Sequence, residues 1–271
     1  MTQPTLLAVY AHPDDEAFGT GGTLARYADA GHDVYLICAT RGEAGKITDP
    51  DIDPTTDKAA LREAELGAAC RAMGIRPPIL LEYHDSGRFE RTRHDDPKAL
   101  LNVAEEELER VLLGHIAELE PSVMIGFDPH GVYGHIDHIK MHRAVTAAFW
   151  SAGSVVAAPP KRLYYNAVAS ERLRKMQAAR QNSPLSELDA GIYGVSETSF
   201  AAVLDVSAYA ERKEAAVKAH RSQVGPQSSF AGMAQEDVWR EMFTTETFTL
   251  GGLRGSFPGM PVADLFAGLE D

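Results

Sequence analysis

Residues 6–16 read LLAVYAHPDDE, an apolar run of strand length that ends in a histidine, a proline and three consecutive carboxylates. Apolar runs of this kind are typical of strands buried on both faces of a sheet, and ligands of open α/β sheets bind just beyond the carboxyl ends of such strands. Three adjacent carboxylates are costly unless a cation or hydrogen-bond donors offset their charge. The stretch therefore predicts a metal site where the first strand ends.

The proline in this stretch restricts the backbone around it. Pro13 biases His12 toward an extended conformation, so we expect a sharp turn in which His12 and Asp15 converge. Asp14 would then point elsewhere. One imidazole and one carboxylate supply half of a tetrahedral zinc shell, and catalytic zinc usually takes three protein ligands and leaves the fourth position to water. A third ligand is therefore expected further along the chain.

A second unusual stretch, DPHGVYGHIDHIKMH, occupies residues 128–142 and holds four of the ten histidines. It follows a predicted fourth strand, so it should meet the first stretch at the same edge of the sheet. Helical spacing puts His135 and His138 on one face of a helix's first turn. The third ligand is then His135 or His138, with the other placed over the substrate. The remaining two histidines are expected to be surface, capping or core residues.

The composition excludes several classes of protein. A chain of 271 residues with 44% hydrophobic residues predicts a single domain over residues 1–271. The net charge of −13 argues against nucleic-acid or anionic-membrane binding, which needs clustered Lys and Arg. With only two cysteines, any metal must use His, Asp or Glu. No apolar run reaches the roughly 18 residues of a membrane span and the first residues lack the basic region of a leader, so we expect a cytoplasmic protein.

The order of elements predicts the fold. Strands alternating with helices indicate an α/β, Rossmann-like fold, with a mostly parallel sheet flanked by helices and a C-terminal extension. We expect a glycine-rich turn over residues 18–23 and an amphipathic helix over residues 97–118. On spacing alone, Arg62 and Glu65 predict a solvated ion pair. Asp85 directly follows the third strand, which makes it a candidate substrate contact.

The two stretches together resemble a known family. AHPDDE at residues 11–16 and YGHIDH at residues 133–138 resemble the paired AHPDDE and HxxH motifs of the PIG-L/LmbE-like zinc deacetylases. That family includes deacetylases of GlcNAc-phosphatidylinositol and GlcNAc-inositol and the mycothiol conjugate amidase. Ile136 stands where the family often has proline, a change that touches no expected ligand. Further segments look like family features, so the resemblance covers nearly the whole chain.

The resemblance implies a metal site and a reaction. The zinc ligands would be His12, Asp15 and His138, and Fe²⁺ could occupy the same ligands. Asp14 would be the general base, and a protonated His135 the electrophilic or acid partner. Zinc lowers the pKa of bound water toward about 7 and polarises the amide carbonyl. The expected reaction is hydrolysis of an N-acetyl group from an N-acetylglucosamine-type conjugate.

The resemblance also implies roles for four other residues. Asp137 would orient a histidine, and Tyr133 would help to hold the tetrahedral intermediate. Arg62 and Asp85 would contact the sugar. Family relatives do assemble, which leaves a homo-oligomer open.

Three rival functions are weighed against deacetylation. One is an amidase of a larger thiol or sugar conjugate, although Gly134 favours deacetylation. Another is a non-haem iron oxygenase, because two histidines and one carboxylate also form its facial triad. The third is a non-catalytic, metal-containing sugar-binding protein, which the intact acidic motif disfavours because a structural zinc site would have four protein ligands and need no base.

Overall fold

The structure, a computed structural model, describes residues 4–179, 185–231 and 237–269. Its strands are β1 Leu6–Tyr10, β2 Val34–Thr40, β3 Ile79–Tyr83, β4 Val123–Gly126, β5 Arg162–Asn166, β6 Ala202–Asp205 and β7 Thr245–Leu253. They form one sheet in the order β3-β2-β1-β4-β5-β7-β6. The first five strands are parallel, whereas β7 is antiparallel to both of its neighbours. The predicted mostly parallel sheet is confirmed, and β6 and β7 are its C-terminal extension.

Helices cover both faces of this sheet. They are α1 Asp15–Asp29, α2 Lys58–Met73, α3 Glu105–Leu119, α4 Gly131–Gly134, α5 Ile136–Val155, α6 Ser170–Ala179, α7 Ala190–Tyr193, α8 Ala210–Ala219, α9 Arg221–Val224 and α10 Asp237–Thr244. Single 3₁₀ turns lie at Phe89–Arg91, Leu100–Asn102, Glu197–Ser199 and Ser207–Tyr209. In the described part of the chain, no helix has the length and apolar character needed to cross a membrane.

Strand β1, in the middle of the five parallel strands, explains where the site lies. Every residue of β1 is fully buried, because β2 and β4 flank it and helices cover it. No side chain of β1 therefore reaches solvent, and the first ionisable groups that face the cleft appear only after the strand ends. The acidic motif and the start of α5 both follow strands at this edge of the sheet.

The predicted glycine-rich turn is wrong, because α1 begins at Asp15 and runs through the glycines. The glycines serve close packing. A Cβ on Gly22 would lie 2.6 Å from Val206 Cγ2, so only glycine lets the helix approach this closely. Tertiary packing here outweighs the low helix propensity of glycine.

The predicted helix over residues 97–118 is also shorter than expected, since α3 begins at Glu105. The preceding residues bond to the segment after β3 instead. The Leu100 N–H donates to His84 O at 2.9 Å, and the Leu101 N–H donates to Ser86 Oγ at 2.8 Å. These non-local bonds replace the first helical turns.

Candidate active site

Three of the predicted ligands converge at the carboxyl edge of the sheet. His12 Nδ1 lies 3.1 Å from His138 Nε2 and 3.5 Å from Asp15 Oδ2, and His138 Nε2 lies 3.3 Å from Asp15 Oδ1. Tetrahedral zinc with bonds of about 2.0–2.1 Å separates neighbouring ligand atoms by about 3.3 Å. The two imidazole nitrogens and the Asp15 carboxylate, which presents Oδ2 to one ring and Oδ1 to the other, therefore have spacings that suit a single metal ion.

Other contacts fix the orientation of both imidazoles. His12 Nε2 lies 3.1 Å from Asp137 Oδ2, and His138 Nδ1 lies 3.2 Å from Gly131 O. The His138 ring also stacks on Phe127, with centroids 4.0 Å apart. Since these partners occupy the second nitrogen of each ring, His12 Nδ1 and His138 Nε2 are left for an ion. The structure thus brings Asp137 against His12, which is the orienting contact expected for it.

Two further groups of potential ligands share His12. His135 joins His12 and His138 in one group, and Asp85 and Asp137 join His12 in the other, with ligand atoms within 4.8 Å of one another in each. In the second group, His12 Nε2 already faces Asp137. Asp85 Oδ1 lies 3.5 Å from the same nitrogen, and the Asp85 carboxylate accepts the Ala44 and Gly87 N–H groups at 3.1 and 2.8 Å. Asp85 therefore supports His12 as well as lining the cleft.

Asp14 stands apart from the triangle of ligand atoms. Its φ of 116° is rare for a non-glycine residue, and such strain is common at functional sites. Its Oδ2 lies 3.3 Å from Arg62 Nη2, and its N–H donates to Glu16 Oε2 at 3.0 Å. Burial, reinforced by the Asp15 carboxylate and opposed by Arg62, raises the pKa of Asp14 to about 7. This carboxylate is suited to exchange protons near neutral pH.

The expected solvated pair between Arg62 and Glu65 is wrong. Both residues are buried, and each has a different tertiary partner. Arg62 donates to Gly42 O at 2.5 Å and to Pro13 O. Glu65 accepts the Ser222 N–H at 2.7 Å and its hydroxyl at 2.6 Å. Arg62 consequently braces the turn that carries Asp14.

His135 and Tyr133 lie beside the ligand triangle. His135 caps α5, because its Nδ1 accepts the Asp137 N–H at 3.2 Å. Burial and the neighbouring His12 and His138 lower the pKa of His135 to about 3, so its surroundings favour the neutral imidazole over the protonated form that we expected. The Tyr133 ring centroid lies 5.1 Å from that of His138.

Two cavities open from this point. One, of about 320 Å³, is lined mostly by polar residues and lies toward β2 and β3, with Arg62, Asp85 and Arg88 in its wall. We call it the polar cavity. The other, of about 180 Å³, lies toward β5 and β7 and is mostly apolar. Asp14 and Tyr133 line both cavities. The proposed base therefore lies where the two cavities meet.

Glu16 and His220 also belong to the site, although the sequence patterns assigned no role to either. Glu16 Oε1 and His220 Nε2 lie 2.6 Å apart, and both residues are fully buried. The third carboxylate of the acidic motif was the available signal for Glu16. Nothing in the sequence pairs it with a histidine about two hundred residues away.

An open α/β sheet that carries an imidazole and carboxylate cluster beside a further carboxylate is an arrangement found in metal-assisted hydrolases. A family model described as PIG-L, GlcNAc-PI de-N-acetylase, matches residues 7–149, which is over half of the chain. The chain belongs to this family.

Relatives of the chain carry deacetylase names. It is 33% identical over 290 residues to a 1D-myo-inositol 2-acetamido-2-deoxy-alpha-D-glucopyranoside deacetylase of Mycobacteroides abscessus, covering 100% of both chains. It is 32% identical to the protein of that name in Salinispora arenicola, covering 97% of this chain and 91% of the relative. A crystal structure of a conserved protein from Thermus thermophilus matches with a TM-score of 0.59 and 26% identity, over 94% of this chain and 98% of that one. The predicted family, fold class and N-deacetylase enzyme class are confirmed.

Proposed function

We propose that this chain is a zinc-dependent N-deacetylase that hydrolyses the acetamide group of an N-acetylglucosamine-type conjugate. GlcNAc-inositol is the first substrate to test, because the named relatives are deacetylases of that compound. The observation that carries the proposal is the triangle of ligand atoms on His12, Asp15 and His138, with the Asp14 carboxylate beside it. Two imidazoles and one carboxylate leave a coordination position open, as catalytic zinc sites do.

In the proposed mechanism, the ion would activate water and the amide, while side chains transfer the proton and bind the oxyanion. A bound zinc ion would lower the pKa of water and polarise the amide carbonyl. Asp14 takes a proton from the attacking water and returns it to the leaving amine. Neutral His135 accepts the Asp137 N–H at Nδ1, so its own proton is on Nε2, which donates to the developing oxyanion. Contacts of this kind are worth about 3 kcal/mol.

The polar cavity supports a sugar as the amine half of the substrate. Arg62 and Asp85 line it together with Arg88, whose guanidinium carbon lies 4.9 Å from the centroid of the Tyr133 ring. A guanidinium group donates hydrogen bonds to sugar hydroxyls, and a carboxylate accepts them.

The two cysteines, Cys38 and Cys70, are buried and free. Free cysteines are typical of proteins in a reducing compartment, which supports the proposed cytoplasmic location.

The first experiment measures the release of primary amine from GlcNAc-inositol and GlcNAc-malate, with chelator and with zinc or Fe²⁺ added back. Metal-restorable release from either compound would support the proposal, and the more active ion would identify the metal. Absence of release by protein shown to hold metal would contradict it.

Asp14→Asn tests the assignment of the base. We expect it to retain the bound metal and to lower kcat by about 10²- to 10⁴-fold, the usual contribution of a general base. Asp96→Asn is the control, because that carboxylate is paired with His84 at 2.8 Å and lines neither cavity. If Asp14→Asn turns over as fast as the wild type, the assignment is wrong.

A further inference from the structure

The catalytic cluster lies between two cavities of different chemistry. Strand β1 lies between β2 and β4, and the polar cavity is on the β2 side of β1. The second cavity lies on its β4 side and reaches β5 and β7, with Asp15 and His138 in its wall. Acetyl removal needs room on this side for only one methyl group beyond the carbonyl. The second cavity is much larger than that.

An amide substrate has two halves that separate at the scissile bond. We propose that the cavity toward β5 and β7 binds the acyl half, and that the enzyme hydrolyses amides of acyl chains longer than acetyl, up to about six carbon atoms. This inference rests on the proposed function and names its acyl substrate class. Water adds its oxygen to the acyl carbon, the C–N bond breaks, and the amine leaves with a proton from that water. The products are the carboxylic acid and the free amine.

The size of the cavity sets the length of the chain. Its volume is about 180 Å³. A cavity of about 150 Å³ can hold benzene, whereas one water takes about 30 Å³ of liquid volume. An acetyl methyl would therefore leave most of this cavity unfilled, and an unbranched chain of about six carbons would fill it.

The walls of the cavity are suited to an aliphatic chain. Phe18, Val168, Leu173, Met176 and Phe230 supply apolar surface. Burying a chain against such side chains is favourable in proportion to the apolar area removed from water. Most of the surface of this cavity is apolar, whereas most residues that line the other cavity are polar, so the sugar half belongs in the other cavity.

The charged groups in this wall have charged neighbours. Lys213 Nζ lies 2.6 Å from Glu246 Oε1, and Arg172 Nε lies 3.9 Å from Glu241 Oε2. The Lys213–Glu246 pair is neutral overall, whereas Arg172 Nε and Nη2 have no hydrogen-bond partner in the described part of the chain. The mostly apolar surface of the wall is what favours an acyl chain.

A series of glucosaminides tests the proposal. N-acetyl, N-butanoyl, N-hexanoyl and N-decanoyl derivatives of one glucosaminide are compared by kcat/KM on the metal-loaded enzyme. We expect about a fourfold rise for each added methylene up to hexanoyl, which corresponds to about 0.8 kcal/mol per buried methylene, and a fall at decanoyl. If acetyl is hydrolysed and kcat/KM falls steadily from acetyl to hexanoyl, the inference is overturned while the proposed function stands.

Filling the cavity provides the second test. Leu173→Trp should lower the ratio of the hexanoyl to the acetyl kcat/KM toward one or below, and Met176→Trp should do the same if the first variant does not fold. Leu113→Trp is the control, because this half-buried leucine of α3 lines neither cavity and should keep the wild-type ratio. An unchanged ratio in a folded cavity variant would overturn the inference.

A binding measurement separates this inference from the proposed function. If no glucosaminide is hydrolysed, the proposed function fails, but the cavity is still tested by calorimetry of hexanoate and acetate on metal-loaded protein. Tighter binding of hexanoate, abolished by Leu173→Trp, would support an acyl cavity. Equal affinities for the two acids would overturn it.

Discussion

Replacing Glu16 with glutamine is expected to lower activity without removing a ligand or the base. The Glu16 carboxylate accepts the Asp14 N–H at 3.0 Å and faces His220 Nε2 at 2.6 Å. The first contact holds Asp14 at a φ of 116°, which a non-glycine residue rarely adopts unaided. Glutamine keeps the shape and one acceptor oxygen, but it loses the charge.

The size of the effect follows from these two contacts. A hydrogen bond to a charged group contributes about 1.5–3 kcal/mol, so losing one should cost about 2 kcal/mol of the free energy of unfolding. In a chain of this size that corresponds to a fall in Tm of about 4–8 °C. Residues that hold catalytic or metal-binding groups in place typically change activity by about 10- to 100-fold, and we expect kcat to fall within that range.

The pair formed by Glu16 and His220 predicts how the free energy of unfolding depends on pH. Burial lowers the pKa of His220, but the Glu16 carboxylate outweighs burial and raises that pKa above its ordinary value. The stabilisation is therefore complete below the unfolded-state pKa of about 6.5, and it is lost as pH rises through the raised folded-state pKa. Glu16→Gln should flatten this dependence.

The assay combines kcat, metal content and Tm measured across pH. Glu65→Gln is the matched control, since Glu65 is buried and accepts two hydrogen bonds from Ser222 but none from Asp14. It should lose stability but keep kcat. Wild-type kcat and an unaltered pH dependence of Tm in Glu16→Gln would refute the reasoning.

Two further predictions concern packing and buried charge. Lys213→Met leaves Glu246 buried without its cation and should cost about 3–5 kcal/mol of the free energy of unfolding, measured by urea denaturation. Gly22→Ala would place a methyl group 2.6 Å from Val206 Cγ2 and should cost about 1–3 kcal/mol. Gly114→Ala in α3 meets no atom within 4 Å and should stabilise by about 0.5–1 kcal/mol, so equal effects of the two glycine changes would contradict the packing argument.

The strand ends were predictable because local sequence sets them. The buried run of β1 and the polar residues that follow it are contiguous, so the sequence carries both the strand and the position of His12 and Asp15. The second stretch of histidines follows β4 in the same way. Parallel neighbours place their carboxyl ends together, and the two motifs meet as expected.

Predictions failed where a distant partner determines the local structure. Arg62 and Glu65 have the spacing of a surface pair, yet tertiary contacts with Gly42 and Ser222 bury them. The glycines of α1 suggest a turn until Val206 is seen against them. His220 lies in a segment that looks like a family feature, yet nothing local pairs it with Glu16. In each case the deciding contact comes from a segment remote in the sequence, which periodicity does not detect.

The different positions of the adjacent Asp14 and Asp15 carboxylates depend on one backbone angle, the φ of Asp14. An extended or helical Asp14 would give a smooth entry into α1, whereas a φ of 116° turns the chain sharply between His12 and the helix. This turn lets Asp15 approach both His12 and His138, while Asp14 faces Arg62. Pro13 O accepts a hydrogen bond from Arg62, and Glu16 accepts the Asp14 N–H, so both sides of the strained residue are held. In the proposed assignment, the acidic motif separates into ligand and base because Arg62, outside the motif, and Glu16, within it, hold that turn.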